Sequence, residues 1–323
     1  MYWGRESRVW SGYLLLILAI TCWAGNAVIG RAAAESDIPP LALNFWRWVT
    51  ALCVFIPFFG KQTWLLWPEI RANLPFIICF ALISVVAYNC TLYISLQTTS
   101  ALQASLIQSI LPVLVLLLCL FILKTPVTAR QWLGVIFSIL GAFIIILRGD
   151  LEVLVNVEVR EGDWWALVAV SLWAIQAFVM RWKPNTIPIM PFMTILGIIG
   201  VAVMAPLYIL ESATHKPMPF NSTSLSMIAY AGVVASVGGT TMWNEGTWRA
   251  GAAHAGYFGN LYPLFAGGLA ILILGESLEW YHLTGAVFVL TGIWLAVFDR
   301  KGNQKVDKPI EKFDTPAHPG RDS

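Results

Sequence analysis

The feature that most constrains this chain is a succession of apolar runs, each close to the roughly 20 residues a helix needs to cross the hydrocarbon core of a bilayer. Between charged or Pro/Gly-rich breaks they fall at approximately Gly12–Arg31, Pro39–Phe59, Leu74–Gln97, Ser100–Leu123, Arg130–Leu147, Asp163–Arg181, Ile187–Leu210, Ser224–Trp248, Ala250–Leu274 and Tyr281–Phe298. Lipid offers no partner for a free backbone amide, so such runs are expected to be helices. Most connections are too short for anything but antiparallel neighbours. Only 12% of the residues are charged, against roughly 25% in soluble domains. That is too little polar surface for a water-soluble body. The expectation is an all-α membrane protein with ten transmembrane helices.

The loop charges give an orientation, because Lys and Arg collect on the cytoplasmic side. Arg5, Arg8, Lys61, Arg71, Lys124, Arg130, Arg181, Lys183, Arg249, Arg300 and Lys301 share one side, and most acids lie on the other with Arg31, Arg148, Arg160 and Lys216. Both termini are therefore expected in the cytoplasm, in a bacterial-type inner membrane. Met1–Ser11 is followed by an apolar run without a small-residue cleavage site, so that run reads as a span. The polar tail from 300 to 323 reads as a disordered cytoplasmic extension. A net charge of +2 gives no sign of a nucleic-acid partner. The five cysteines lie in apolar runs without metal-type spacing, and no metal or other cofactor is implied.

Shifting the chain by 150 residues brings Gly12 onto Gly162, Trp23-Ala24 onto Trp173-Ala174 and Arg31 onto Arg181. A shift of 151 brings Pro112 onto Pro263, Gly134 onto Gly285 and Gly141 onto Gly292, and one of 155 brings Tyr88-Asn89 onto Trp243-Asn244. The chain thus divides into related halves, 1–148 and 160–299. Five spans per half force the second half to enter the membrane from the opposite face, an inverted repeat on which alternating access is commonly built.

Asn44-Phe45-Trp46-Arg47-Trp48, the proline-marked segments Ala101–Pro112 and Ala252–Pro263, and Gly275-Glu276-Ser277-Leu278 followed by Gly285 and Gly292 together resemble EamA-type permeases of the drug/metabolite transporter superfamily. The resemblance covers roughly residues 12–299. It implies ten helices around a cavity opened alternately to either side, and export of metabolites, often linked to protons or driven by the substrate gradient. The first half departs from the signature, with Lys124-Thr125-Pro126-Val127 in place of Gly-Glu-x-Leu.

Polar groups at mid-depth are expensive in lipid and point to a shared cavity. Arg47 is the deepest charge, about 12 Å from the start of its span at 1.5 Å per residue. It has two readings, an attractor for an anionic group or a structural clamp. Asn26 and Gln176 match across the halves, each sharing a helix face with Trp23 or Trp173. They either converge on a ligand or bridge helices. Asn89 and Asn244 form the other matched pair, beside Tyr88 and Trp243. With Tyr93, Trp248, Tyr257 and Tyr262 these aromatics would give a cavity walls suited to a ring or an ammonium group. Glu245 and His254 are candidates for proton linkage, although Glu245 has Arg249 one turn on. Pro112 and Pro263 are the candidate hinges. The glycines recurring every seven residues suit a packing seam, and the chain is expected to be a monomer rather than a dimer.

The reading is a secondary transporter, an exporter of small metabolites such as amino acids, with proton-coupled export of amines or aromatic cations as the alternative. No Walker-type G-x-x-x-x-G-K-[ST] loop occurs, so ATP drive is not expected. An intramembrane enzyme would need a His-rich cluster or aspartates inside spans, and a channel a continuous polar ring. Neither pattern is present, and the chain does not read as an enzyme.

Overall fold

The computed structural model describes residues 3–124, 127–150, 160–251, 258–259 and 261–297. Eight helices in it are long and apolar enough to span a bilayer: α1 (Val9–Glu35), α2 (Pro40–Leu65), α3 (Leu74–Thr98), α4 (Ala101–Leu123), α5 (Ala129–Ile146), α6 (Glu161–Trp182), α7 (Ile189–Thr214) and α8 (Ser222–Ala250). Two shorter apolar helices follow, α9 (Tyr262–Leu274) and α10 (Trp280–Val297). The protein is an all-α, multi-pass membrane protein, and no strand occurs among the described residues. Of the ninth expected run, Ala250–Leu274, the described residues show the apolar helix Tyr262–Leu274, shorter than a full span. Much of its earlier part, with His254 and Tyr257, lies outside the described residues, as does the tail 300–323.

Local chemistry sets the helix ends. Pro40 begins α2 at a position where its missing N–H costs nothing. Thr128 and Gln131 form a capping box at α5, as do Asn221 and Ser224 at α8. The match between α4 and α9 extends to their ends: Lys124 and Gly275 both terminate in the left-handed region, at φ 53° and 66°. Glycine adopts that conformation without strain, and lysine does not.

The halves interleave. α1 packs on α8 and α9, while its counterpart α6 packs on α3 and α4. α2 lies against α7, and α5 against α10. The last pair shows why the glycines recur. A Cβ on Gly141 would stand 2.6 Å from the Gly285 carbonyl oxygen, and one on Gly292 2.5 Å from that of Gly134. Only glycine lets the two backbones approach this closely. On the opposite face of α5, Leu133, Ile136, Leu140 and Phe143 are exposed. Small residues inside and large apolar ones outside is the pattern expected of a helix facing lipid.

Gly12 lies against Ala250 at one end of the bundle, and its counterpart Gly162 lies against Ser95 and Thr98 at the other. Arg31, near the far end of α1, donates to the carbonyls of Leu96 and Gln97, which fixes the second end. Equivalent residues thus occupy opposite ends, as an inverted repeat requires. Two helices also carry π-helical stretches, Leu82–Ala87 within α3 and Tyr230–Gly239 within α8. α3 and α8 are counterparts in the repeat, and π-turns inside α-helices are frequent at functional sites.

Candidate functional site

The two π-helical stretches face a shared polar centre. A π-turn leaves carbonyls without their usual partner, and side chains take them up. Asn89 donates to the Ser84 carbonyl at 2.7 Å and Ser236 to the Ala231 carbonyl at 2.8 Å, each reaching five residues back. Trp23 donates its indole N–H to the Ala235 carbonyl at 3.1 Å.

Arg47 of α2 joins these stretches. Its Nη1 donates to Asn89 Oδ1 at 2.6 Å and to the Tyr93 hydroxyl at 3.1 Å, and its Nε donates to Ser236 Oγ at 2.7 Å. The Tyr93 hydroxyl in turn donates to Asn26 Oδ1 at 2.8 Å. One guanidinium, 7% exposed, therefore ties α1, α2 and α3 of the first half to α8 of the second. Beside it, Tyr88 donates to Gln108 Oε1 at 3.4 Å. Gln108 sits where α4 breaks between its segments Ala101–Gln108 and Leu111–Leu123, and its Nε2 is buried without a partner.

Two aromatic pairs flank this centre. Trp23 meets Trp243 at 5.1 Å between ring centroids, and Trp173 meets Tyr88 at 5.6 Å. The repeat relates the pairs, since Trp23 matches Trp173 and Tyr88 matches Trp243. Tyr262 stands edge-on to Trp173 at 5.8 Å and packs in one cluster with Trp23 and Trp243, which makes the wall continuous.

The amides are not equivalent. Asn26 and Asn89 belong to the Arg47 network. Asn244 turns back to its own helix, donating to the Thr240 carbonyl at 2.7 Å, and Gln176 leaves a buried Oε1 unpartnered. Trp248, expected as cavity wall, is 67% exposed instead, because its face of α8 points away from the bundle. Glu245 is held by Arg249 at 2.7 Å, and Arg249 also donates to Ser11. Pro112 and Pro263 lie in the first turns of Leu111–Leu123 and Tyr262–Leu274, Pro112 directly after the break within α4.

The end of the bundle that carries the acids is closed by contacts between the halves. Glu276 accepts from the backbone amides of Ala101 and Leu102 at 2.8 and 2.9 Å, capping α4. Glu211 accepts from Leu41 and Ala42 at 3.1 and 2.8 Å, capping α2. Asp163, fully buried, takes the hydroxyl of Thr99, and Thr98 Oγ1 accepts from the Gly162 amide at 2.8 Å. Carboxylates suit helix N-termini because four amides there lack partners and the dipole is positive. Sequence patterns flagged Glu276 through its signature and Arg47 through its depth. Ser236, Gln108, Asp163 and Glu211 gave no comparable signal, because each gains its role from a helix distant in the chain.

The chain is similar to known transporters. The model of the EamA-like transporter family matches residues 10–147 and again 160–298. The chain is 24% identical over 285 residues to the uncharacterized transporter YyaM of Bacillus subtilis, covering 87% of this chain and 92% of that one. It is 25% identical to a WAT1-related protein of Arabidopsis thaliana, over 90% of this chain and 83% of the relative. A solved crystal structure superposes with a TM-score of 0.57 at 14% identity, covering 94% of this chain and all of the other, a likeness of fold alone.

Proposed function

Because the chain belongs to the EamA-like transporter family, and is a membrane transporter rather than an enzyme, we propose that it is a secondary carrier that exports small metabolites, amino acids foremost, by alternating access. The observation that carries this reading is the pair of repeat-related aromatic contacts, Trp23 with Trp243 and Trp173 with Tyr88, on either side of the Arg47 centre. Both halves contribute walls and polar groups to one place, so a relative tilt of the halves alters access to it from either end. Glu276, Glu211 and Asp163 hold the acid-rich end shut, so substrate would enter from the basic end. Release to the other side requires those contacts to part.

The charge distribution supports placing the basic end in the cytoplasm of an inner membrane, with both termini inside. The glycine seam is used within the chain, between α5 and α10, which favours a monomer. Saturable counterflow in proteoliposomes tests the carrier reading. Asn26→Ala and Asn89→Ala should lower it strongly, with Gln176→Ala and Asn244→Ala less affected. Flux linear in solute concentration would point to a channel and against a carrier.

A further inference from the structure

The geometry points to Arg47 as the anion subsite of this carrier: its substrate bears a carboxylate, and amines that lack one are excluded. The inference rests on the transporter reading and narrows it. Its basis is a missing counter-charge. The guanidinium is buried, and every partner it has among the described residues is neutral: Asn89, Tyr93 and Ser236. No ion pair involves it, since the pairs among the described residues are Arg31–Glu35, Lys216–Asp37 and Arg249–Glu245.

The acids of the spans are committed elsewhere. Glu211 caps α2, Glu245 is held by Arg249, and Asp163 accepts from Thr99 through one oxygen at the acid-rich end of the bundle, its other oxygen buried without a partner. A lone guanidinium in a low-dielectric interior is costly without an opposite charge, and intramembrane charges are retained where they serve a substrate or ion path.

The other half of the repeat does not supply the charge either. A shift of 149 brings Pro39 onto Pro188 and Pro57 onto Pro206, and sets Leu196 opposite Arg47. The centre is therefore electrically one-sided, with a single positive charge and no twin. The hydrogen bonds of Arg47 to described side chains come from Nε and Nη1 and leave Nη2 for a ligand, and the Nε2 of Gln108, buried without a hydrogen bond, lies beside the same tyrosines. Together they offer N–H donors to a compact anion, and a guanidinium matches a carboxylate in plane and spacing. The ring pairs at 5.1 and 5.6 Å provide the apolar wall for an aromatic or planar body attached to it.

The test uses the purified full-length chain and three probes of one shape: 3-phenylpropanoate, its methyl ester and 3-phenylpropylamine. Thermal stabilisation and quenching of tryptophan fluorescence are read for each, alongside counterflow in proteoliposomes. The carboxylate should bind at least tenfold more tightly than the ester, and the amine should give no stabilisation. Arg47→Gln should abolish the carboxylate response and Arg47→Lys should keep part of it.

Arg47→Gln alone is open to the objection of misfolding, and Asn89→Asp answers it. That variant is nearly isosteric and sets a carboxylate on Arg47 from within. It should fold, the new ion pair with Arg47 set against the lost donation to the Ser84 carbonyl, yet lose at least tenfold in carboxylate affinity. The inference is overturned if the amine binds as well as the acid, if no carboxylate stabilises the protein, or if the carboxylate response survives in Asn89→Asp. The carrier reading fails separately. A protein that binds the acid but shows no counterflow of it sinks transport and spares the subsite, whereas saturable counterflow of an amine, indifferent to Arg47, does the reverse.

Discussion

Glu276→Gln should loosen the closed end of the bundle without unfolding the protein. The wild-type carboxylate accepts two backbone amides, Ala101 at 2.8 Å and Leu102 at 2.9 Å, one on each oxygen. Glutamine keeps one acceptor and places an NH₂ group against the other amide, so one charge-assisted bond is lost and the second weakens. Hydrogen bonds to charged groups contribute about 1.5–3 kcal/mol each. Glu276 is only half-buried, and solvent screening reduces the loss to about 1–2 kcal/mol. Since 1.4 kcal/mol is a factor of ten, the balance between closed and open forms should move about 5- to 30-fold. The assay is the labelling rate of a cysteine placed at Gln108, with the five native cysteines replaced, using an impermeant maleimide supplied from the acid-rich side. The rate should rise by a similar factor in Glu276→Gln. An unchanged rate in both Glu276→Gln and Glu276→Ala, with melting temperature lowered, would refute the gating argument and leave the residue a simple helix cap.

Gly141→Ala and Gly285→Ala should each destabilise the protein by about 1–3 kcal/mol through overpacking, read as a lower melting temperature in detergent. Glu245→Gln breaks a part-exposed ion pair and should change stability by less than about 1 kcal/mol. Its transport should keep the wild-type response to an imposed pH gradient, and loss of that response would make Glu245 a proton carrier. Trp23→Ala and Trp173→Ala should both reduce counterflow, because the repeat gives each a ring contact on the centre. A large effect of only one would show that substrate leans on a single wall.

The sequence alone determined the membrane class, the positions of most spans and the inverted repeat. Apolar run length and repeated residue identities are local properties that lipid and gene-level duplication impress directly on the chain. It also picked out Arg47, Asn26, Asn89 and the aromatic partners, since a polar group deep in an apolar run stands out without any neighbour being known. Only the tertiary structure decided how these groups are used. Asn89 and Asn244 look alike as symmetric amides, yet one accepts from Arg47 and the other returns to Thr240 of its own helix. The π-turns that free carbonyls for Asn89 and Ser236 leave no residue pattern, and the carboxylates of Glu211 and Asp163 meet partners on helices 64 to 170 residues away in sequence. Symmetry in the chain is a statement about composition at matched positions. Whether a side chain faces a ligand, a carbonyl or lipid is set by helix rotation and packing across the halves, which depend on all the other helices at once.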